Sequence, residues 1–568
     1  MSTQDNAQAL VQLAHQAQAQ LTAPGAPFEM ETVQHLGHAV RAYKNAFHTL
    51  PELINAGRAH GAREFMVYGE DRWTFDRFFA AVDALAGRLQ QEHGLQPGER
   101  VAIALRNRPE WAVAFAAVAL AGAIPAPLNS FGLGEELSAS LADIAPRWLV
   151  CDQDRLDRLA RHPLPEGCRT TVVDSDAGSV AWQTLVAPGG PRLAPPQLAP
   201  TDPALILFTS GASAQAKGVL SNQRAVCQAL FNIDFIGAIA GMTSPEAVQK
   251  LMSAGLTPTT LTVVPLFHVS GLHAQLLASL RHGRRLVLLH RWDAAQAMEM
   301  IRREKITQFN GAPTMVQQLL NQPAFHDPQA SSTLMGLGFG GAGLSQRLID
   351  DTLAARPGSL SGIGFGLTET NGVGAGASGR LFALRPECAG FVSPLMELRI
   401  ADVFGEPLPA GEDGEIWLRG VTVMDGYWRQ PRATEAAMSD GWFRTGDVGR
   451  VDADGFLRIV DRIKDVINRN GEKIAAAEVE SCLMQHAAVE DAVVFAQADE
   501  QTGEAVVAVV QLRAGAADTS AQLLREHVAA RLAAYKVPQT IHLRDESLPR
   551  NPAGKLLKNA VKKEYQAR

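Results

Sequence analysis

Cysteine and aromatic residues are scarce in this sequence of 568 residues. The five cysteines include no CxxC pair, which argues against a zinc site or a disulfide scaffold and fits a reducing compartment. Only 6% of the residues are aromatic, while 46% are hydrophobic and 20% charged, a balance typical of a folded globular protein. The net charge of -7 gives no general reason to expect nucleic acid as a partner.

The sequence also lacks a targeting segment and an uninterrupted membrane span. The first 40 residues contain no Lys or Arg, whereas a secretory signal needs a basic segment before its apolar core. The uncharged run 111–128 just reaches the length of a membrane helix, but Pro125 and Pro127 cut it to 14 residues. We therefore expect a buried helix there, no transmembrane segment, and a cytoplasmic protein that is at most peripheral at a membrane.

Short apolar runs alternate with helical patterns over most of the chain. Residues 101–105, 204–208 and 261–266 are typical of buried strands, and residues 75–91 are typical of a helix. This alternation predicts a layered α/β fold with mostly buried strands.

The composition changes near residue 460. Before it, Gly-rich turns separate short strand-like pieces and indicate a small β-rich subdomain. After it, about 100 residues of α+β pattern form a domain-sized piece. The predicted organisation is an N-terminal extension over 1–45, a large multi-subdomain domain over 46–460 and a small α+β domain over 461–568, whose mobility is implied only by the resemblance described below.

A loop suited to a polyphosphate follows the predicted strand at 204–208. Residues 209–218 read TSGASAQAKG, in which small residues admit the backbone, hydroxyls donate hydrogen bonds and Lys217 offsets negative charge. A Walker A loop would need Gly at 216 and Ser or Thr at 218, so Ala216 and Gly218 exclude it. Taken alone, the segment could equally be a plain flexible loop.

Four stretches in order resemble the motifs of the adenylate-forming (AMP-binding) superfamily, which includes acyl-CoA synthetases and fatty-acid–CoA ligases. The stretches are TSGASAQAKG (209–218), GFGLTE (364–369), GWFRTGD (441–447) and LPRNPAGK (548–555). Weaker matches lie between them, namely PLFHVSG (265–271), GGAGL (340–344), DGYW (425–428) and DRIKDVINRNGEKI (461–474). The resemblance extends over most of the chain.

The resemblance implies an ATP-dependent carboxylic acid–CoA ligase. Such a ligase converts acid, ATP and CoA into acyl-CoA, AMP and pyrophosphate through an acyl-adenylate, with Mg²⁺ as cofactor. Because two anions must meet at the α-phosphate, the site needs positive charge and oriented donors. Small and apolar residues near PLFHVSGLHAQ favour a medium- or long-chain fatty acid first, as in fatty acid metabolism, and an aryl or alicyclic acid second.

Two other functions stay open on the sequence. One is a stand-alone adenylating enzyme that loads a carrier protein. The other is a catalytically degenerate nucleotide-binding protein, because Ala212, Ala214 and Ala216 depart from the superfamily's phosphate loop. The presence of Glu369 and Lys555 speaks against the second, since a protein that only binds nucleotide needs neither.

The resemblance also implies roles for individual residues. The implied catalytic residues are Lys555, Glu369, Thr209 and Lys217, of which Glu369 and Thr209 would hold the metal. The implied ATP and AMP contacts are Thr209, Ser210, Gly211, Ser213, Lys217, Gly218, Gly340, Gly341, Ala342, Phe365, Gly366, Thr368, Asp447 and Arg462. His268 and Gly366 would contact the acid, Lys464 would be the hinge and Gly471 would line the CoA tunnel. The implied partners are small molecules (acid, ATP and CoA), and a homodimer is left open.

Overall fold

The computed structural model describes residues 3–209, 216–340, 343–470, 472–516, 518–551 and 554–566. Its α-helices are α1 (Thr3–Thr22), α2 (Leu50–Ala56), α3 (Phe75–Gln91), α4 (Pro109–Leu120), α5 (Gly134–Ile144), α6 (Gln153–Leu159), α7 (Trp182–Val186), α8 (Gln223–Thr243), α9 (Pro245–Ser253), α10 (Val269–Gly271), α11 (Ala278–His282), α12 (Ala294–Glu304), α13 (Pro313–Leu320), α14 (Pro328–Ser331), α15 (Gln346–Ala355), α16 (Arg380–Leu384), α17 (Pro431–Ala437), α18 (Ala476–Met484), α19 (Ala521–Ala529) and α20 (Lys558–Gln566). A π-helical segment covers Leu272–Leu277, between α10 and α11.

The β-strands are β1 (Met30–His35), β2 (His38–Tyr43), β3 (Glu64–Tyr68), β4 (Asp71–Thr74), β5 (Arg100–Ala104), β6 (Ile124–Pro127), β7 (Trp148–Cys151), β8 (Arg169–Val172), β9 (Pro203–Phe208), β10 (Gly218–Asn222), β11 (Thr259–Thr262), β12 (Arg285–Leu288), β13 (Gln308–Gly311), β14 (Gly336–Gly340), β15 (Gly362–Phe365), β16 (Ala375–Ser378), β17 (Gly390–Val392), β18 (Met396–Ala401), β19 (Gly414–Gly420), β20 (Gly426–Tyr427), β21 (Met438–Ser439), β22 (Trp442–Val451), β23 (Phe456–Arg462), β24 (Val466–Arg469), β25 (Glu472–Ala475), β26 (Val489–Asp499), β27 (Gly503–Leu512) and β28 (Thr540–Arg544). They form five sheets. The predicted mixed α/β class is therefore confirmed.

The largest sheet changes direction in its middle. Its order is β18-β19-β22-β23-β17-β16-β15-β14-β13-β11-β12-β3-β4, with β21 paired to β22. From β3 through β12, β11, β13 and β14 to β15 the neighbours are parallel, and from β15 to β18 they are antiparallel. The ends of β14 and β15 thereby adjoin the β-rich part that carries β22, and most of the site described below lies around this junction.

A second, parallel sheet accounts for the apolar run 111–128. Its order is β6-β5-β7-β8, so β6 is an edge strand. The residues from Trp111 to Leu120 are buried in α4, and the two prolines lie in β6. A proline removes a donor from the ladder and is tolerated at an edge, so the run forms a buried helix followed by an edge strand.

Helix α8 is the one helix in the described residues that is long and apolar enough to cross a membrane by length and composition. Its side chains Phe231 and Phe235 lie in a cluster with Phe28 and Tyr43, with ring centroids 5.0 to 5.9 Å apart. The core helix of a folded domain meets the same criterion as a membrane span. The expected cytoplasmic location and the homodimer stay predictions.

The residues after β23 form a five-stranded sheet of their own. Its order is β25-β24-β27-β26, with β28 beside β27, and side chains of α18 and α19 pack with it in one cluster. Strand β23 continues to Arg462, and a 3-10 turn at Ile463–Asp465 leads into β24. The boundaries at 45 and 460 stay predictions.

Candidate active site

The predicted phosphate loop is closed at its base by Thr209 and Lys217. Strands β9 and β10 pair antiparallel, with Phe208 opposite Gly218. The Thr209 N–H donates to the Lys217 carbonyl (2.9 Å), and the Lys217 N–H donates to Thr209 Oγ1 (3.1 Å). A Cβ at Gly218 would lie 3.0 Å from Ile206 Cγ2, so close packing favours glycine there. Ser210, Gly211 and Ser213, with the departures Ala212 and Ala214, lie outside the described residues.

Tyr427 connects the loop lysine to the carboxylate expected to hold the metal. Strand β20 pairs with β10 and places Tyr427 opposite Val219. The Lys217 ammonium lies 4.6 Å from the centroid of the Tyr427 ring. The Tyr427 hydroxyl donates to Glu369 Oε1 at 2.9 Å. Burial, followed by the nearby Glu369 charge, raises the pKa of Tyr427, so the phenol stays a donor.

Asp447 and Arg462 form an ion pair across neighbouring strands. They lie opposite each other in β22 and β23, with Arg462 Nε 3.0 Å from Asp447 Oδ1. Asp447 is only 5% exposed, and this burial raises its pKa while Arg462 and Lys555 lower it. Asp447 therefore brings a buried carboxylate to the cleft, next to two cations.

The dipeptide Gly446-Asp447 is typical of a tight turn in sequence, but the structure has no turn there. The segment 445–447 lies within β22, and Gly446 has a φ of 71°. The pairing of β19 with β22 shifts register opposite this segment. A glycine in the left-handed region produces a bulge inside a strand as readily as it produces a turn.

The C-terminal segment places Lys555 in the same cleft. Its N–H donates to Asn551 Oδ1 (2.9 Å), and the Asn551 N–H donates back to the Lys555 carbonyl (2.8 Å). Burial and the Arg462 charge lower the pKa of Lys555, whereas Asp447 and Glu369 raise it. The structure thus brings Lys555, Asp447, Glu369 and Arg462 within electrostatic range of one another.

Gly554 is required for this placement. Its φ is 81°, a left-handed backbone angle that favours glycine. A Cβ there would also lie 2.6 Å from the Ala312 Cβ, just before α13. The lysine loop therefore lies directly against the large sheet's helical layer.

Glycines line the cleft at the ends of β14 and β15. Gly340 lies opposite Gly364, and a Cβ at Gly340 would meet nothing within 4 Å, so the backbone there is open to a ligand. A Cβ at Gly366 would lie 2.1 Å from the Gly372 carbonyl oxygen, so no side chain fits. Phe365 ends β15 and is partly buried, and Thr368 begins the 3-10 turn that carries Glu369. Gly341 and Ala342 lie outside the described residues.

A cavity with about 600 Å³ of empty space, part of it open to solvent, continues from Gly372. Helix α8 forms one wall with Asn232, Phe235 and Ile236, and β16 and β17 form another. The expected acid contact His268 does not line this cavity; it lies just before α10, with its ring 4.5 Å from that of Phe267.

Two histidines near the cleft are held neutral. Burial and the Lys555 charge lower the pKa of His268 to about 3. His273 lies in the π-helical segment, is 2% exposed, and burial lowers its pKa to about 4, opposed by Asn371. Neither His273 ring nitrogen makes a hydrogen bond of good geometry, and the nearby Asn371 Oδ1 is also unpaired. Sequence analysis missed His273, and π-helical segments are frequent at functional sites.

The remaining predicted residues are only partly placed. Lys464 lies exposed in the 3-10 turn at Ile463–Asp465. Gly471 lies outside the described residues. Within those residues no group of three or more His, Cys, Asp and Glu side chains could hold a metal by itself. Glu369 with Thr209 is instead the kind of sparse oxygen set that binds Mg²⁺ together with substrate phosphates.

Comparison with known proteins gives consistent matches. Residues 54–428 match the family described as AMP-binding enzyme, and residues 478–555 match the AMP-binding enzyme C-terminal domain. A feruloyl-CoA synthase from Amycolatopsis sp is 32% identical over 88% of this chain and 95% of its own length. The 4-coumarate–CoA ligase 2 of Oryza sativa subsp. japonica is 30% identical over 84% of each chain.

Solved structures are also similar to this chain over most of its length. The o-succinylbenzoate CoA synthetase of Bacillus subtilis, in complex with its acyl-adenylate intermediate, has a TM-score of 0.73 and 28% identity, covering 90% of this chain and 97% of that chain. ATP-bound MatB from Rhodopseudomonas palustris has a TM-score of 0.76 and 25% identity, covering 90% and 99%.

The buried His273 predicts a pH-dependent stability. Its folded pKa of about 4 lies below the ordinary 6.5, so the unfolded chain binds the extra proton first as the pH falls. The free energy of unfolding should lose up to about 3 kcal/mol from this group between pH 6.5 and 4, and be unaffected above pH 6.5. In urea unfolding between pH 6.5 and 4, the free energy of unfolding should fall less steeply with pH in His273→Gln than in the parent protein. Equal slopes would contradict the assignment.

Tyr427→Phe should raise the Mg²⁺ concentration needed for half-maximal activity. The change removes the hydrogen bond to Glu369 and keeps the ring over Lys217. Loss of a group that orients a metal-binding carboxylate typically costs about 10-fold or more in metal affinity. Tyr535→Phe, in the small sheet's domain, is the matched control. An unchanged Mg²⁺ requirement in Tyr427→Phe would remove Glu369 from the metal site.

Proposed function

We propose that this chain, which belongs to the AMP-binding enzyme family, acts on an aryl acid with a polar ring substituent. Within that family it is an AMP-forming acid–CoA ligase that uses ATP, Mg²⁺ and CoA. Sequence analysis favours a fatty acid as the substrate and gives an aryl acid as the alternative. The relatives and the cavity both favour the alternative. The carrier-protein and degenerate-binder alternatives gain no support, since the relatives are named as CoA ligases and synthetases.

The observation that carries the proposal is that the polar side chain of Asn232 lines the cavity. This residue is 3% exposed and lines the cavity on α8. Its Oδ1 accepts hydrogen bonds from the Tyr43 hydroxyl (2.9 Å) and from Ser393 Oγ (2.7 Å). Both bonds occupy the amide oxygen, so the polar contact that this side chain can offer a ligand is a hydrogen bond donated by Nδ2. A buried donor would be desolvated without compensation beside an alkyl chain, whereas a ring oxygen could accept its hydrogen bond.

The glycine-rich walls also suit a flat group. Residues Gly372, Gly374 and Gly376 contribute backbone rather than side chains to the cavity on its β16 side. The opposite α8 wall supplies Phe235 and Ile236. Bare backbone and apolar side chains with a few placed polar groups are the usual composition of ligand pockets, although Ile236 closes the wall at Gly376, where a Cβ would lie 3.2 Å from its Cδ1.

The names of the relatives point to the same class. They include a feruloyl-CoA synthase, several 4-coumarate–CoA ligases and, among the structures, an o-succinylbenzoate CoA synthetase. A fatty acyl CoA synthetase from Mycobacterium tuberculosis also matches, with a TM-score of 0.67 and 25% identity. The similarity therefore supports an aryl acid more strongly than a fatty acid.

We assign the reaction steps as follows. A carboxylate oxygen of the acid attacks the α-phosphorus of ATP, and the bond to pyrophosphate breaks. Lys555 offsets the charge where the two anions meet, Lys217 faces the departing phosphates, and Asp447 accepts the ribose hydroxyls. Bound Mg²⁺ would neutralise phosphate charge, held by Glu369 and Thr209. The CoA thiol then loses its proton to solvent, its sulfur attacks the acyl carbon, and AMP leaves with the bonding electrons of the carbon–oxygen bond.

A panel of acids tests the proposal. Pyrophosphate release would be measured with hydroxycinnamic, benzoic and C8 to C16 fatty acids, each with and without CoA, and products identified by mass spectrometry. We expect CoA-dependent turnover with kcat/KM highest for an oxygen-substituted aryl acid. A fatty acid with the highest kcat/KM would overturn the proposal.

Asn232→Leu isolates the polar contact, because leucine has nearly the same shape. We expect kcat/KM for the ring-hydroxylated acid to fall by about 10-fold or more relative to its unsubstituted analogue, with the KM for ATP unchanged. Loss of the acceptor for Tyr43 and Ser393 lowers stability by about 1–3 kcal/mol, so thermal unfolding is measured alongside. An equal loss for both acids would remove Asn232 from substrate recognition.

A further inference from the structure

Helix α1 closes one side of the acid cavity. Ala14, His15 and Gln18 line the cavity together with residues of α8 and β16. These three residues lie outside residues 54–428, the part of the chain that matches the AMP-binding enzyme family. The helix therefore adds a wall that the family match does not include.

Helix α1 is fixed in place by an apolar stripe. Leu10, Val11, Ala14 and Ala17 recur at helical spacing and are at most 7% exposed. The first three lie in a core cluster with side chains of the large sheet and of α16. Buried residues on one face of a 20-residue helix make it an integral part of the domain.

The far side of the cavity wall is anchored by His15. Its Nε2 lies 3.2 Å from the Asp454 carbonyl oxygen, and its ring centroid lies 5.0 Å from that of Phe391 in β17. Asp454 lies between β22 and β23, the strands that carry Asp447 and Arg462. The helix is thus tied to the turn of the β22–β23 hairpin, whose opposite end carries the Asp447–Arg462 pair.

The position of α1 relative to the reacting carboxylate determines which part of the acid the helix could contact. Gly372 lines the cavity, and its carbonyl oxygen would lie 2.1 Å from a Cβ at Gly366, so the backbone of the cleft is packed directly against the backbone of the cavity wall. Ala14 and Gln18 belong to α1, and Gly366 and Gly372 follow β15 in the large sheet. An acid that occupied this cavity, with its carboxylate in the cleft, would have its distal end near α1.

We propose that α1 is a specificity element, in which Ala14 sets the length of the acid that fits and Gln18 offers a polar contact to a distal ring substituent. This inference rests on the proposed function, because it requires that the acid occupies this cavity. Ala14 contributes only a methyl group to the cavity wall, so a longer side chain there would reduce the space for the acid. A missing or added methylene in such a pocket discriminates between substrates by about 10- to 200-fold.

Ala14→Leu tests the wall, and Ala19→Leu is its matched control. Ala19 lies on the exposed face of the same helix, so its replacement changes helix composition equally without entering the cavity. We expect Ala14→Leu to lower kcat/KM for para-substituted cinnamic acids by about 10-fold or more. Unsubstituted benzoic acid should change by less than about 3-fold. The KM for ATP should stay the same in both variants.

Gln18→Ala provides a second variant that creates space rather than filling it, in case Ala14→Leu does not fold. It should improve the relative kcat/KM of acids with larger distal groups and weaken the preference for a polar one. Circular dichroism and thermal unfolding confirm folding of each variant. An unchanged rank order of acids in both Ala14→Leu and Gln18→Ala would overturn the inference.

Failure of the inference is distinguishable from failure of the proposed function. If the parent enzyme prefers fatty acids, the same variants are compared on C8, C12 and C16 chains. A preference of Ala14→Leu for shorter chains would still support the inference that α1 limits the length of the acid. If the parent enzyme prefers aryl acids and Ala14→Leu behaves as Ala19→Leu does, the specificity role of α1 is wrong and the proposed substrate class stands.

Discussion

The close approach of Gly554 to Ala312 is the constraint on which the arrangement of the candidate site depends. Only a residue without a Cβ, at a φ of 81°, lets the C-terminal segment lie this close to the large sheet's helical layer. This approach brings the Lys555 ammonium to Asp447, Glu369 and Arg462, which belong to other parts of the chain. Two cations and two carboxylates then share a partly buried cleft. Their mutual desolvation is costly, and a polyphosphate with its metal would compensate for it.

The large sheet explains why these groups meet where they do. Its switch from parallel to antiparallel pairing at β15 puts glycine-rich strand ends beside β22 and β23. Bare backbone on one side and charged side chains on the other make a slot for a flat, anionic ligand. Tyr427, at the edge of a separate small sheet, connects Lys217 to Glu369, so the phosphate hairpin and the glutamate turn are positioned together.

Local features of this fold could be predicted from sequence, whereas contacts between distant segments could not. The helix at 75–91 was predicted with its observed bounds, because Thr74 caps it and its apolar residues repeat at helical spacing. The strand expected at 261–266 ends at Thr262, before Pro265. Gly554 lies in the LPRNPAGK stretch on which the resemblance rests. By contrast, Asn232, His273 and α1 matter through packing between segments far apart in the chain, for which a single sequence holds no local signal. Gly446 shows the ambiguity of glycine, which forms a bulge here rather than a turn.

The most direct test of the account is to measure the two half-reactions separately in Lys555→Ala, with Lys563→Ala on the exposed face of α20 as control. Formation of acyl-AMP would be followed by pyrophosphate exchange, and thioester formation by adding CoA to supplied acyl-AMP. The account predicts that adenylation falls by about 100-fold or more, as expected when an oriented charge-stabilising donor is removed, while thioester formation changes little. Equal loss of both steps, or adenylation as fast as in Lys563→Ala, would contradict the placement of Lys555 at the reacting phosphate.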